Sequence, residues 1–215
     1  MTAMAWEHLR EPDLRGRTVV MTGASDGLGR EAALQLARWG ADLVLGVRSR
    51  AKGEIVRERI VVTASHAHTF GAIDLADPHF ARGGWSLRAG YGRSKLVTML
   101  WGLELAERLQ EAGSSVDLQL VHPGWVLTNL QNATGSARLD RVVTAASRPF
   151  AMSPSDGAAA VLFAATQPLP PGSYIGPDGR GALRGRPTLL RRSVAALDRD
   201  LARRVAAWAR AEVAR

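Results

Sequence analysis

At 215 residues the chain fits a single domain with a core of its own, and with no cysteine it can hold neither a disulfide nor a thiolate-bound metal. Its net charge of +8 comes almost wholly from arginines scattered among acids, without interleaved aromatics. That pattern argues for a solvated surface and against a nucleic-acid platform.

Residues 1–12 are polar and mixed in charge, without the apolar centre of a signal peptide. No stretch approaches the ~18 apolar residues of a membrane span. The expectation is a soluble cytoplasmic protein. His66 and His68 lie close together, but no carboxylate pattern accompanies them, and no metal site is expected.

Thr18 to Thr22 is a short β-branched run that reads as a buried strand. Gly23-Ala-Ser25-Asp26-Gly27-Leu28-Gly29 follows, and then a helical pattern over 30–39 that Gly40 closes as a left-handed cap. Residues 42–47 read as a second strand. Strand, glycine turn, helix and strand make a βαβ unit of about thirty residues. In such a turn glycine lets backbone approach phosphate closely, and the helix N-terminus offers free N–H groups and a positive dipole end. Arg48 ends the second strand, Arg50 follows, and no carboxylate appears before Glu54. An acid at this position takes a ribose 2′-hydroxyl, whereas an arginine takes a 2′-phosphate. The pattern therefore favours NADP, with NAD as the alternative.

Residues 49–59 form a polar connector, and 60–64 read as a third strand that ends at Ser65. A polar loop through 66–90 leads into a long helix expected from Tyr91 to about Gln110. Residues 96–105 of that helix are apolar round most of the circumference, which predicts burial on two sides: against a sheet and, as one option, against a second subunit. Residues 116–121 read as a fourth strand, and His122-Pro123-Gly124 turns out of it towards Thr128. Ser153-Pro154-Ser155-Asp156 is a helix start, with cap, proline and acid in order. Tyr174-Ile175 is the candidate for a last short strand. From Leu190 the apolar residues Val194, Leu197, Leu201, Val205 and Trp208 keep a helical period to the end of an arginine-rich tail.

The chain has only two tyrosines and two lysines, yet Tyr91 and Lys95 stand four apart. On a helix that spacing puts both on one face. A phenol titrates near ~10, too high for acid/base work at neutral pH, and a neighbouring cation favours its ionised form. Lysine is a compact charge that can do this while its other donors hold a ligand hydroxyl.

Together these pieces resemble the short-chain dehydrogenase/reductase family, nearest its retinol-dehydrogenase-like and WW-domain-oxidoreductase-like members. The likeness runs from residue 14 to about 186. The turn from Gly23 to Gly29 resembles the family's cofactor loop, and Tyr91 with Lys95 matches its Tyr-x-x-x-Lys pair. Residues 60–68 resemble the strand that delivers the catalytic serine, here Ser65, while Pro123, Gly124 and Thr128 match the segment lining the nicotinamide. Residues 174–179 resemble the last strand and turn of the family's sheet. The resemblance implies one Rossmann-like α/β domain over 1–215, with a family-like core at 14–186 and an amphipathic helix in 187–215. It also implies an enzyme that interconverts an alcohol and a carbonyl of a small molecule with a nicotinamide cofactor. Tyr91 would move the hydroxyl proton, and Lys95 would tune Tyr91 and hold the ribose. Ser65 would bind the substrate oxygen, a contribution on the order of a few kcal/mol.

One segment of the family pattern is missing. Between the Arg48 strand and the Ser65 strand the family places two more strand–helix units, with an Asn-Asn-Ala-Gly motif and a further catalytic asparagine. Here only 49–59 lie between, and the chain's two asparagines are Asn129 and Asn132. The doubly wound parallel sheet is thus expected to be abridged to about five strands. Either a gap stays open beside the Thr18–Thr22 strand, or the Ser65 strand moves in by one spacing of ~4.8 Å to give a flavodoxin-like order. Two functions remain open: an active oxidoreductase, or a catalytically impaired nucleotide-binding or interaction remnant of the family.

Overall fold

A computed structural model describes residues 12–24, 27–46, 59–114, 116–126 and 151–214. The chain divides into two compact units, one of 1–58, 123–168 and 176–188, the other of 59–122, 169–175 and 189–215.

In the first unit, strand β1 (Thr18–Thr22) pairs in parallel with β2 (Asp42–Gly46), Thr18 opposite Asp42 and Thr22 opposite Gly46. Helix α1 (Gly27–Arg38) connects them. It stops where the sequence places the stop: Gly40 takes φ +88°, and its N–H returns to the Ala37 carbonyl at 3.0 Å. Helix α3 (Pro154–Thr166) begins at the expected cap, with Ser153 Oγ accepting from the Asp156 N–H at 3.1 Å. Ala32, Leu36 and Trp39 pack with Ala158 and Leu162 to form this unit's core.

The second unit is built on β3 (Arg59–Thr63) and β4 (Asp117–Val121), parallel, with Arg59 opposite Asp117. That first pair is clamped by two hydrogen bonds of 2.9 Å from the Arg59 guanidinium to the Asp117 carboxylate, the bidentate geometry that suits arginine. β5 (Tyr174–Pro177) lies parallel to β4, and β6 (Pro187–Leu189), a strand the sequence reading misses, completes the order β3-β4-β5-β6. Helix α2 (Leu87–Glu111) packs on β4 through Gly102, where a Cβ would stand 2.9 Å from the Leu120 side chain. Helix α4 (Arg199–Val213) buries Ala202, Val205 and Ala206. Ala202 and Val205 join Leu96, Met99, Leu100, Leu118 and Leu120 in one cluster.

The architecture is α/β, parallel and Rossmann-like, in an abridged form. The strands form a two-stranded sheet, β1–β2, in the first unit and a four-stranded sheet of order β3-β4-β5-β6. Two elements differ in extent from the sequence expectation. α2 begins one turn before Tyr91, at Leu87, because Ser86 Oγ caps it by accepting from the Ala89 N–H at 3.1 Å. The tail is helical only from Arg199, since Ser193 and Asp198 each start a new element as caps. The second apolar partner that α2 calls for is supplied within the chain by α4. No helix among the described residues is long and apolar enough to cross a membrane.

Candidate active site

Tyr91 and Lys95 lie beside the C-terminal end of β3, and Ser65 follows that strand in sequence. Tyr91 and Lys95 occupy successive turns of α2, and the Lys95 ammonium lies over the Tyr91 ring, 5.6 Å from its centroid. The same ammonium donates to the Thr63 carbonyl at 3.4 Å, the last residue of β3. Ser65 follows two residues later. Burial holds the Lys95 pKa below its ordinary value, because a charge short of water is disfavoured.

Ser65 is itself held by local chemistry. It is buried, takes extended backbone angles, and caps a 3-10 helix over His66–Phe70 by accepting from the Ala67 N–H at 3.2 Å. A hydroxyl has one donor and two acceptor lone pairs. Used as a cap it accepts, so its own proton can still be given to another oxygen. The turn is pressed onto α2 at Tyr91: a Cβ on Gly71 would stand 2.2 Å from the Gly92 carbonyl oxygen, and one on Gly92 would stand 2.8 Å from the Phe70 ring. Glycine at both positions lets the serine turn and the tyrosine turn touch.

The cofactor-loop residues lie in the first unit. Gly23 takes φ +70° and Gly27 φ +56°, and no described atom comes within 4 Å of a Cβ built on Gly23. A Cβ on Gly29 would stand 2.1 Å from the Gly23 carbonyl oxygen, so the turn folds back on the helix it opens. The first turn of α1 carries no acid to neutralise its positive end. A glycine turn leading into a helix N-terminus fits a diphosphate. Pro123 lies against helix α3 at Gly157, where α3 also meets Leu28 of α1. A Cβ on Gly157 of α3 would stand 2.4 Å from Val126 and 2.5 Å from Leu28, with the Pro123 carbonyl 3.4 Å away. Gly124 has φ +87°, and a Cβ there would meet the Leu183 carbonyl at 2.8 Å. Ser25, Asp26, Arg48 and Thr128 lie outside the described residues.

Three site-supporting residues escape the sequence reading: Gly71 and Gly157, which permit the close approaches just described, and His68. The His68 ring is fully buried, with Nδ1 2.8 Å from the Ser65 carbonyl. A lone histidine in a polar loop carries no signal of such a role. The two glycines stood in the sequence only as loop and helix residues.

No protein-family model matches the chain. Among curated proteins it is 61% identical over 64 residues to dehydrogenase/reductase SDR family member 13 from Bos taurus, a match covering 29% of this chain and 17% of that protein. It is 24% identical over 207 residues to retinol dehydrogenase 13 from Mus musculus, covering 56% of this chain and 61% of the relative. Among solved structures, an uncharacterised protein from Mycobacterium paratuberculosis superposes with a TM-score of 0.70 at 25% identity, covering 92% of this chain and 93% of that one. The chain is similar to members of the short-chain dehydrogenase/reductase family, among them proteins of its retinol-dehydrogenase-like branch.

Against retinol dehydrogenase 13 the chain is abridged internally. The alignment to retinol dehydrogenase 13 spans 207 positions, yet 56% of a 215-residue chain falls far short of that number, so the alignment bridges a long stretch that the relative has and this chain lacks. The chain spans less than two thirds of the length of these curated relatives.

Proposed function

We propose that the chain is a nicotinamide-dependent oxidoreductase that interconverts an alcohol and a carbonyl, with Ser65, Tyr91 and Lys95 as its working residues. The observation that carries this reading is the placement of the Lys95 ammonium over Tyr91 and on the Thr63 carbonyl, two residues before Ser65. A phenol, a cation and a buried hydroxyl then serve one substrate oxygen. Tyr91 exchanges a proton with that oxygen, Ser65 donates a hydrogen bond to it as charge gathers there, and Lys95 supplies the positive field. The bound nicotinamide supplies the hydride. The turn from Gly23 to Gly29, with Ser25 and Asp26, would hold its phosphates, and Pro123, Gly124 and Thr128 would border its ring. The relatives' names, retinol dehydrogenase and polyprenol dehydrogenase, support an alcohol or its carbonyl as substrate. Arg48 favours NADP by its place after β2, and a cytoplasmic location rests on the sequence alone.

A second reading, a nucleotide-binding remnant without turnover, is favoured by the two strand–helix units that the chain lacks between Arg48 and Ser65. One assay decides between them. NADPH is followed at its own absorbance with a panel of small aldehydes and ketones, alongside Tyr91→Phe. Oxidation of NADPH that falls at least ~100-fold in the variant supports the oxidoreductase. Cofactor binding with no oxidation by the unmodified chain supports the remnant.

A further inference from the structure

Ser65 is held by an unusual pair of bonds from one residue. Its carbonyl accepts from the backbone N–H of His68 at 3.1 Å and lies 2.8 Å from His68 Nδ1. The other ring nitrogen, Nε2, lies 3.2 Å from the backbone N–H of Ser193. A carbonyl can only accept and a backbone N–H can only donate, so the ring must carry its proton on Nδ1 and offer a lone pair at Nε2. That is the neutral ring in one tautomer. It has no exposed surface. Its neighbours leave it little freedom: the Tyr174 ring from β5 meets it edge-on at 5.3 Å between centroids, and His66 from the same turn stands 6.1 Å away. Burial, and after it the neighbouring His66 and Arg192, keep the ring's pKa below the ordinary value, against the bond to Ser65, which raises it.

We infer that His68 is a positioning residue for Ser65: its neutral, Nδ1-protonated ring fixes the Ser65 carbonyl against the segment that leads into α4. The inference rests on the role of Ser65 proposed above. Fixing that carbonyl fixes ψ of Ser65 and, with the cap bond to Ala67, the direction of the hydroxyl. Ser193 is also a cap, with Oγ accepting from the Ala196 N–H at 3.3 Å, so the far end of the bridge is anchored too. The bridge ties the serine turn to the C-terminal tail, 125 positions away in sequence.

Two near-isosteric variants separate the halves of the bridge. His68→Asn keeps a donor where Nδ1 was and loses the acceptor for Ser193. His68→Gln keeps an acceptor where Nε2 was and loses the donor to Ser65. Each is measured in the full-length chain by kcat and KM for a carbonyl substrate, and by the amide NMR signal of Ser65. The expectation is a kcat lowered about tenfold or more in His68→Gln, with KM for NADPH little changed, and a kcat within about threefold of the unmodified chain in His68→Asn. The Ser65 signal should shift in His68→Gln and stay in His68→Asn. Equal effects of the two variants on both readouts overturn the inference. So does an imidazole ¹⁵N spectrum showing His68 charged or protonated on Nε2. Should the unmodified chain show no turnover, the oxidoreductase reading fails, while the NMR signals still decide whether His68 positions Ser65.

Discussion

Lys95 bears a tension that can be measured. Its ammonium is partly withdrawn from water, and its hydrogen bond to the Thr63 carbonyl is long, at 3.4 Å. A charge under-solvated in this way costs folding free energy, which is the same fact as its lowered pKa. Lys95→Met keeps the aliphatic length and removes the charge. The variant should melt no lower than the unmodified chain while losing NADPH-dependent turnover, as calorimetry and the absorbance assay would show. A drop of several degrees in Tm with turnover intact would mean that Lys95 is a structural tie. The pairing of Tyr91 with Lys95 was legible in the sequence because a spacing of four on a helix is local geometry. His68 was not, because its partner Ser193 is reached only through the fold.

Among the elements, the contact between the turn that Ser65 caps and α2 at Gly92 depends on a missing side chain. Gly71 has φ −72° and ψ 144°, angles any residue adopts, so its conformation does not demand glycine. Its surroundings do: a Cβ there would stand 2.2 Å from the Gly92 carbonyl oxygen, a backbone atom that cannot swing aside. Gly71→Ala must therefore push the serine turn off α2, at a cost of about 1–3 kcal/mol from overpacking. Urea unfolding should show that loss, and kcat should fall with it, since a displacement of ~1 Å in an active site can cost ~100-fold. Ser86→Ala is the control. It removes the α2 cap at a cost of about 1 kcal/mol and should leave kcat alone. Equal activity in the two variants would detach the turn's position from catalysis. The helices, the glycine turn and most strands were readable from period and capping residues. The three-residue β6 was not, because Pro187–Leu189 follows a glycine-, proline- and arginine-rich stretch and is too short to show a period.

For the molecule as a whole, the question is how a chain lacking two strand–helix units keeps its apolar faces from water. In the second unit the answer is α4. The tail's periodic residues from Leu190 onward suggested one long helix, but Val194 is exposed, and the inward face starts at Leu201 and runs through Ala202, Val205 and Ala206. Arg199 adds an ion pair to Glu107 of α2 at 2.9 Å, which fixes where the helix lies along its partner. The pattern in the sequence showed that α2 needs cover on two sides, but periodicity carries no information on whether the cover comes from the same chain. With α4 in place, the side of α2 that carries Leu96, Met99 and Leu100 is covered within the chain. The full chain should therefore not self-associate through that side. Removing 199–215 uncovers the cluster around Leu96, Met99 and Leu100, at about 1.5–3 kcal/mol for each large side chain exposed. The truncated chain should self-associate more than the full chain, or precipitate, and analytical ultracentrifugation would show it. A truncated chain that remains monodisperse with the same Tm would mean that α4 contributes nothing to closing this core.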